Sequence, residues 1–425
     1  MAGALLAILL VYTVNQLHLP QELGIRGLNV ANLLFAIAAL AVVAGGGSGA
    51  TTRPLLKRAL LGWFAMLVVA FAIARARGGG ELMADLTYLK TALFYPLFYF
   101  LFFHGVRDLK WTRWLIGLTL LVAFVAGLEA LKEAVGYGIG QFVDSRRASG
   151  PFGIDYRSAN RAGVYYAMFL PLFLGLAVFL RRQPLLRAAA FAGVLVVTGA
   201  ILFTYSRQAY FIALIGLVLL LARRGVLATL LGLAVVWAVV PHLPEGVGER
   251  VEETQQQGDY GQVEYDASTA SRWEIWSGAV SMWAEHPLGI GLNRFQQNIG
   301  EYSTIEGKDA HNFYVLTLAE AGIQGLVALL VLLAAMWRLV RRLRAAAFDA
   351  EGRALAVGAN VAFVCMMLGN VYGSPFFEGA VMGTFWALLG LLERYALLRQ
   401  PQRAAAAREP APAGVPQRAP VLSPQ

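Results

Sequence analysis

Eight basic side chains and one histidine stand where apolar runs of this sequence begin or end. Arg146, Arg147, Arg157 and Arg161 fall in RRASGPFGIDYRSANRAG, Arg207 in TYSRQAYF, Arg272 in TASRWEIWSGAVSMWAEHPLG and Arg294 in LGIGLNRF. Lys308 and His311 share KDAHNFYVLTLAEAGIQG. Like charges brought together repel unless an anion sits among them. Arginine suits a phosphate, because its planar fork gives bidentate, charge-assisted hydrogen bonds and keeps its proton. A histidine that stays neutral near pH 7 can accept a proton from a hydroxyl, as a general base must. Taken singly, each residue also has a plainer reading. An arginine at a span end can snorkel to headgroups, and an interfacial histidine can be held by a backbone carbonyl.

The elements that must position these groups are membrane spans. The chain has 425 residues, 58% hydrophobic and only 14% charged, with mean hydropathy +0.59; a soluble domain carries roughly a quarter charged residues. The apolar runs are long enough for a hydrocarbon core that needs about 20 helical residues. They do not alternate as ~10-residue barrel strands would. Backbone groups in lipid must be satisfied within each span, so the expected class is an all-α polytopic membrane protein. About twelve transmembrane helices are expected, near 3–19, 28–47, 55–75, 84–104, 112–135, 159–180, 186–205, 207–222, 225–241, 311–337, 354–372 and 376–397. The first run lacks a basic leader and a cleavage site, and reads as a retained span.

One set of connections holds 21 of the 35 Lys and Arg residues although its loops are short. By the positive-inside rule that set is cytoplasmic, with both termini, in a bacterial inner membrane. The net charge of +9 therefore reflects topology, and no nucleic-acid partner is expected. The opposite, periplasmic set contains two long connections, 136–158 and 242–310. The organisation expected is helices 1–9 over 1–241 with the loop 136–158, a large loop with amphipathic helices over 242–310, helices 10–12 over 311–398, and a disordered Pro/Ala-rich tail over 399–425. The nine chemistry-bearing residues fall on the periplasmic side. The single cysteine, Cys365, lies inside an apolar run and supports neither a disulfide nor a cysteine metal site.

Spacing refines two of them. Ser271 and Glu274 are spaced as a capping box, which places Arg272 at the first helical position, where a cation opposes the helix dipole unless an anion binds beside it. Trp273, Trp276, Val280 and Trp283 then share one face, as on an interfacial helix. Asp309 and Asn312 precede or open the run at 313–336, so His311 is expected in the first turn of a span. The positive dipole end keeps the ring neutral there. Tyr314, Val315 and Leu318 would be its helical neighbours. His286 reads as a helix-end residue before proline.

No Asp-x-Asp pair, HExxH, Walker loop or strand-linked GxGxxG is present, which leaves metal-assisted or nucleotide-sugar transfer without support. A basic site beside lipid suits a lipid diphosphate, with arginines neutralising the leaving group.

The four stretches RRASGPFGIDYRSANRAG, TYSRQAYF, SRWEIWSGAVSMWAEHPLGIGLNRF and DAHNFYVLTLAEAGIQG together resemble the O-antigen ligase family, which shares a core with O-antigen polymerases and bacterial protein O-oligosaccharyltransferases. The resemblance covers about 146–325; the first 140 residues match only in hydropathy. It implies a GT-C-like glycosyltransferase architecture and en bloc transfer of O-antigen from undecaprenyl diphosphate to a sugar hydroxyl of lipid A-core at the periplasmic face. The reaction it implies is inverting, without metal or other cofactor. It further implies that Arg207 and Arg272 bind diphosphate, that Arg147 and Arg161 join them, and that His311 stands nearest the acceptor. Asp309, Asn312, Tyr314 and Arg157 are possible supporting residues, and Asp309 is an alternative base with His311 orienting the acceptor. A polymerase, a protein ligase and a lipid-diphosphate flippase are the rival readings.

Overall fold

A computed structural model describes residues 1–15, 18, 29–46, 53–138, 142–143, 145–153, 156–252, 255–257, 263–265 and 267–406. Helices follow one another almost throughout. They are α1 (Ala2–Thr13), α2 (Val30–Ala44), α3 (Lys57–Arg77), α4 (Leu82–Phe94), α5 (Leu97–Gly105), α6 (Leu109–Tyr137), α7 (Tyr156–Phe179), α8 (Pro184–Phe203), α9 (Arg207–Ala222), α10 (Val226–Val239) and α11 (Glu245–Glu252). A short antiparallel pair, β1 (Gln255–Gln257) and β2 (Val263–Tyr265), precedes α12 (Ala267–Glu285) and α13 (Phe295–Asn298). The chain ends on α14 (Phe313–Ala345), α15 (Ala350–Gly369) and α16 (Gly379–Ala406). Residues 407–425 of the expected tail lie outside the described residues.

Eight helical segments among the described residues are long and apolar enough to cross a membrane, one of them Leu82–Gly105, which joins α4 and α5 across Pro96. Four shorter apolar helices, Ala2–Thr13, Val30–Ala44, Arg207–Ala222 and Val226–His242, occupy the remaining apolar runs. Polar caps begin several of them. Asn29, Asp108, Ser206, Asn312 and Asp349 each accept a first-turn backbone N–H. Helix α7 is largely buried, second among the spans only to α16, and packs on α8, α9 and α15. It meets α15 where Gly175 faces Ala354 and Gly358 faces Leu172, backbone to backbone, as small residues permit within a bilayer.

Two features shape the part of the bundle that matters here. The first is a buried ion pair. Asp85 of α4 and Arg294 are both nearly inaccessible, and they meet through two bonds of 2.7 and 2.6 Å. Arg75 joins at 3.0 Å and Asn293 at 3.2 Å, while Arg294 also donates to the Gly79 carbonyl at 2.6 Å. From the other side, the buried Glu320 carboxylate accepts the backbone N–H groups of Arg294 and Phe295 at 3.0 and 3.1 Å. The segment from His286 to Phe295 is thereby stitched between α3 and α14; Leu292 N–H donates to Ala70 O, and Gly291 N–H to Glu320 O.

The second feature is a break in α14. Gly322 has φ 67° and ψ −172°, a conformation essentially reserved for glycine. The half before the break starts with Phe313 against Trp63, near the Lys57 end of α3, and reaches Glu320 beside the strip that covers Ala70 and Ala74. The half after it ends with Arg342 on Glu393, whose carboxylate also receives the Leu55 N–H, back at the Lys57 end of α3. The two halves therefore run in opposite senses, and Gly325 packs back on Thr317. One continuous span over 311–337 was expected. A short half-helix folded against a full-length one is found instead, because the His286–Phe295 strip occupies the space into which the first half would otherwise continue.

Two substitutions test this arrangement. A Cβ on residue 322 would lie 2.5 Å from Pro287 O and Leu288 C, so Gly322→Ala should destabilise the protein by about 3 kcal/mol, read by thermal unfolding in detergent. Asp85→Asn leaves two guanidinium groups without their buried counter-charge and should cost about 3–5 kcal/mol. Arg294→Met added to Asp85→Leu should be milder than Asp85→Asn alone.

Candidate active site

The turn joining α15 to α16 gathers the basic residues. Asn370 caps the end of α15, and its carbonyl, with that of Gly373, accepts the Phe313 N–H at 2.9 and 3.1 Å. The Asn370 side chain holds the turn itself, accepting Phe376 N–H at 3.1 Å and donating to Met366 O at 2.9 Å. The start of α14 is thus pinned to this turn, and Tyr314 adds a bond from its hydroxyl to Met367 O at 2.9 Å.

His311 precedes Asn312, the N-cap of α14, and adopts φ 47°. It was expected in the first helical turn. It stands one residue before the cap, because the Asn312 carboxamide rather than Asp309 takes the Tyr314 and Val315 N–H groups, at 3.0 and 3.1 Å. Tyr314, Val315 and Leu318 are accordingly not its helical neighbours. The ring is about one-third exposed, and Nδ1 lies 3.9 Å from the Asp309 carboxylate. That is beyond hydrogen-bonding range. The residue before it, Ala310, accepts Trp276 Nε1–H at 2.8 Å, which ties this strand of chain to α12.

Arg272 reaches the same turn from α12. Its guanidinium stacks 5.4 Å above the Tyr372 ring, and Trp276 packs on that ring at 5.5 Å. The capping-box reading of Ser271 and Glu274 does not hold. α12 starts at Ala267, and the Glu274 carboxylate turns away to Ser303 Oγ and to the Thr304 N–H and hydroxyl, at 3.0, 2.8 and 2.5 Å. Arg272 is therefore one turn inside the helix. Of the tryptophan-bearing face, Trp273 and Val280 are exposed, while Ile275, Ala279 and Met282 bury the opposite face.

The arginine that does open a helix is Arg207. It follows the Ser206 cap of α9 and the left-handed Tyr205, and its neighbour Gln208 donates to Gly369 O at 2.7 Å, at the end of α15. Arg161 on α7 pairs with Glu378 of the turn at 3.1 Å. Arg147 is buried and donates to Thr204 O at 2.8 Å and Asn160 Oδ1 at 2.6 Å, so it braces the turn that presents Arg207. Arg294 is committed to Asp85, Lys308 and Arg146 are exposed, and the Arg157 side chain lies outside the described residues.

The structure thus brings Arg161, Arg272 and the His311 end of α14 to the turn that carries Tyr372 and Glu378, with Arg207 opening α9 beside Gln208, which bonds the end of α15. Tyr372, Glu378 and Asn370 were missed in the sequence, although NVYGSPFFEG is a polar, glycine- and proline-bearing interruption between two apolar runs. Measured along α3, the Phe313 contact at Trp63 lies about 20 Å below Arg77 at a rise of 1.5 Å per residue. The Arg161, Glu378 and His311 side chains themselves are about one-third exposed. Among the described residues no three of His, Cys, Asp or Glu are grouped as metal ligands.

The Glu274 contacts predict a pH response. Its hydrogen bonds from Thr304 and Ser303 hold the carboxyl below its usual range. That docking is complete above the ordinary value of 4.5 and is lost as pH falls through the lowered folded value. The Thr304 amide should lose its hydrogen-exchange protection over that window, and Glu274→Gln should remove the pH dependence.

Residues 192–330 match a family model described as O-antigen ligase. The match contains Arg207, Arg272, Asp309, His311, Asn312 and Tyr314, and stops short of Arg147, Arg157 and Arg161. No curated protein matches the chain. Members of that family are glycosyltransferase-like enzymes with polysaccharide and lipid-linked substrates. Over residues 192–330, which hold Arg207, Arg272 and His311, the chain is similar to the O-antigen ligase family.

Proposed function

We propose that the protein is an O-antigen ligase of the bacterial inner membrane, moving a glycan en bloc from undecaprenyl diphosphate to a sugar hydroxyl of lipid A-core on the periplasmic side. The observation that carries this reading is the placement of Arg161, Arg272 and the His311 end of α14 on the α15–α16 turn, with Arg207 opening α9 beside it, cations near a proton acceptor. The acceptor oxygen bonds to the anomeric carbon from the face opposite the diphosphate. The bond from that carbon to the phosphate oxygen breaks, the diphosphate leaves with the electron pair, and the acceptor proton passes to His311. Inversion follows from the single displacement. Arg207 and Arg272 neutralise charge growing on the leaving group, an effect worth most in a water-poor recess. Arg161 joins them, held in place by Glu378, and Arg147 orders the Arg207 turn. Asp309 stabilises the imidazolium as it forms. Each of these tasks is done by the chain's own side chains, without a cofactor.

Purified protein, glycan-bearing undecaprenyl diphosphate and lipid A-core test this directly. Ligated product should form in the presence of EDTA. His311→Ala should lower kcat by about 10²–10⁴, the usual worth of a general base, while donor binding persists. Arg207→Ala should reduce transfer by about 10²–10³. Longer glycan on the carrier, with none on lipid A-core, would identify a polymerase. Carrier binding without covalent transfer would identify a lipid transporter.

A further inference from the structure

A second polar cavity lies well away from His311. It has a volume of about 380 Å³ and opens at the Arg77 end of α3, beneath the chain from His286 to Tyr302. That volume falls within the range of ligand pockets, about 300–1,000 Å³. Arg77, His286, Gln297, Asn298, Glu301 and Tyr302 line it, with the Gly78 and Gly79 backbone as an open wall. A Cβ built on either glycine meets no atom within 4 Å.

Part of the lining is pre-set by a directed chain of hydrogen bonds. Arg77 can only donate, so its contact of 3.2 Å makes His286 Nδ1 the acceptor and leaves the proton on Nε2. Nε2 faces the Tyr302 hydroxyl at 3.4 Å, and that hydroxyl donates to Glu285 at 2.8 Å. Burial, reinforced by Glu285, pushes the Tyr302 hydroxyl up to about 12, so it keeps its proton across the working pH range. His286, read from sequence as a bare helix end, is a member of this network. The remaining groups are unspent. Asn298 donates through Nδ2 to Arg294 O at 2.7 Å, while its carbonyl oxygen, the Gln297 carboxamide and the Glu301 carboxylate have no hydrogen-bond partner among the described residues.

We propose that this cavity is a glycan subsite that holds sugar hydroxyls through Gln297, Asn298 and Glu301. The Gln297 and Asn298 carboxamides, the Tyr302 hydroxyl and the Glu301 carboxylate supply both donors and acceptors for sugar hydroxyls. Of the two arginines in the lining, Arg294 is already paired with Asp85 and the Glu301 carboxylate offsets Arg77, which counts against an anion. Two rulers place it at the reach of a short oligosaccharide. The distance is about 20 Å along α3 from Trp63 to Arg77, and about 20 Å along α12 from Arg272 to Glu285. The inference rests on the reading of the chain as a glycan transferase. The sugar can belong to the donor glycan or to the acceptor core, and the two sources are separable.

The test uses full-length protein in nanodiscs and two probes without lipid: the O-glycan released from its carrier, and dephosphorylated core oligosaccharide. Binding is followed by saturation-transfer NMR and calorimetry. Gln297→Ala and Glu301→Gln change exposed side chains and should leave thermal unfolding unaltered. Each should weaken binding of one probe by about tenfold, the worth of one well-placed hydrogen bond. His311→Ala should bind both probes as the native protein does. In transfer assays the same two variants should raise KM for the matching substrate and leave kcat unchanged. Equal binding by native and cavity variants would overturn the subsite. Cavity-dependent binding in a protein that ligates nothing to lipid A-core would keep the subsite and remove the ligase reading.

Discussion

A carboxylate inside an apolar helix costs several kcal/mol unless its lone pairs and its charge are both answered. Asp85 is such a group, and its answer is Arg294, 209 residues away in sequence. Because the guanidinium arrives on the strip from His286 to Phe295, neutralising Asp85 also brings that strip down onto α3. Glu320 then caps the same strip from α14. The strip, the end of α3 and the first half of α14 form one unit that must order together, and His311 stands just beyond its far end. The placement of His311 is thus inherited from a structural ion pair elsewhere in the bundle.

The α15–α16 turn solves a related problem. Irregular backbone at depth is tolerated where protein, rather than lipid, satisfies it. Asn370 does this with both ends of its carboxamide, and Phe313 N–H is shared between two carbonyls of the turn. Tyr372 sets the plane of the Arg272 guanidinium by stacking, and Glu378 sets Arg161 by charge. Neither interaction supplies chemistry. Both restrict arginines whose long side chains would otherwise sample many rotamers, which is what a preorganised anion site requires.

The sequence made the helical class plain, since apolar runs and local caps are short-range signals. It also singled out Arg207, Arg272, Arg161 and His311, whose placement at the ends of runs is visible without a fold. What it hid was long-range. Arg294 looked like its neighbours because its partner lies in another helix. The S-x-x-E spacing at Ser271 suggested a helix start, but nothing in ASTA stops the helix four residues earlier, and Glu274 had a better partner in the 303–304 turn. Gly322 in AEAGIQG marked a weak point in an apolar run. Whether such a glycine bends a helix or reverses it depends on what occupies the space ahead, and that space is filled by residues from an earlier part of the chain.

The reversal at Gly322 has a consequence for biogenesis. The second half of α14 is apolar and nearly full length, and it can insert as an independent span as soon as it is made. The first half has no such autonomy, because its position is defined by Trp63, by the strip below Glu320 and by a turn made later, between α15 and α16. Contacts across so much chain close late, since loop entropy must be overcome before they form. The spans can therefore be inserted while the histidine end is still open, and that end closes only once the α15–α16 turn is in place.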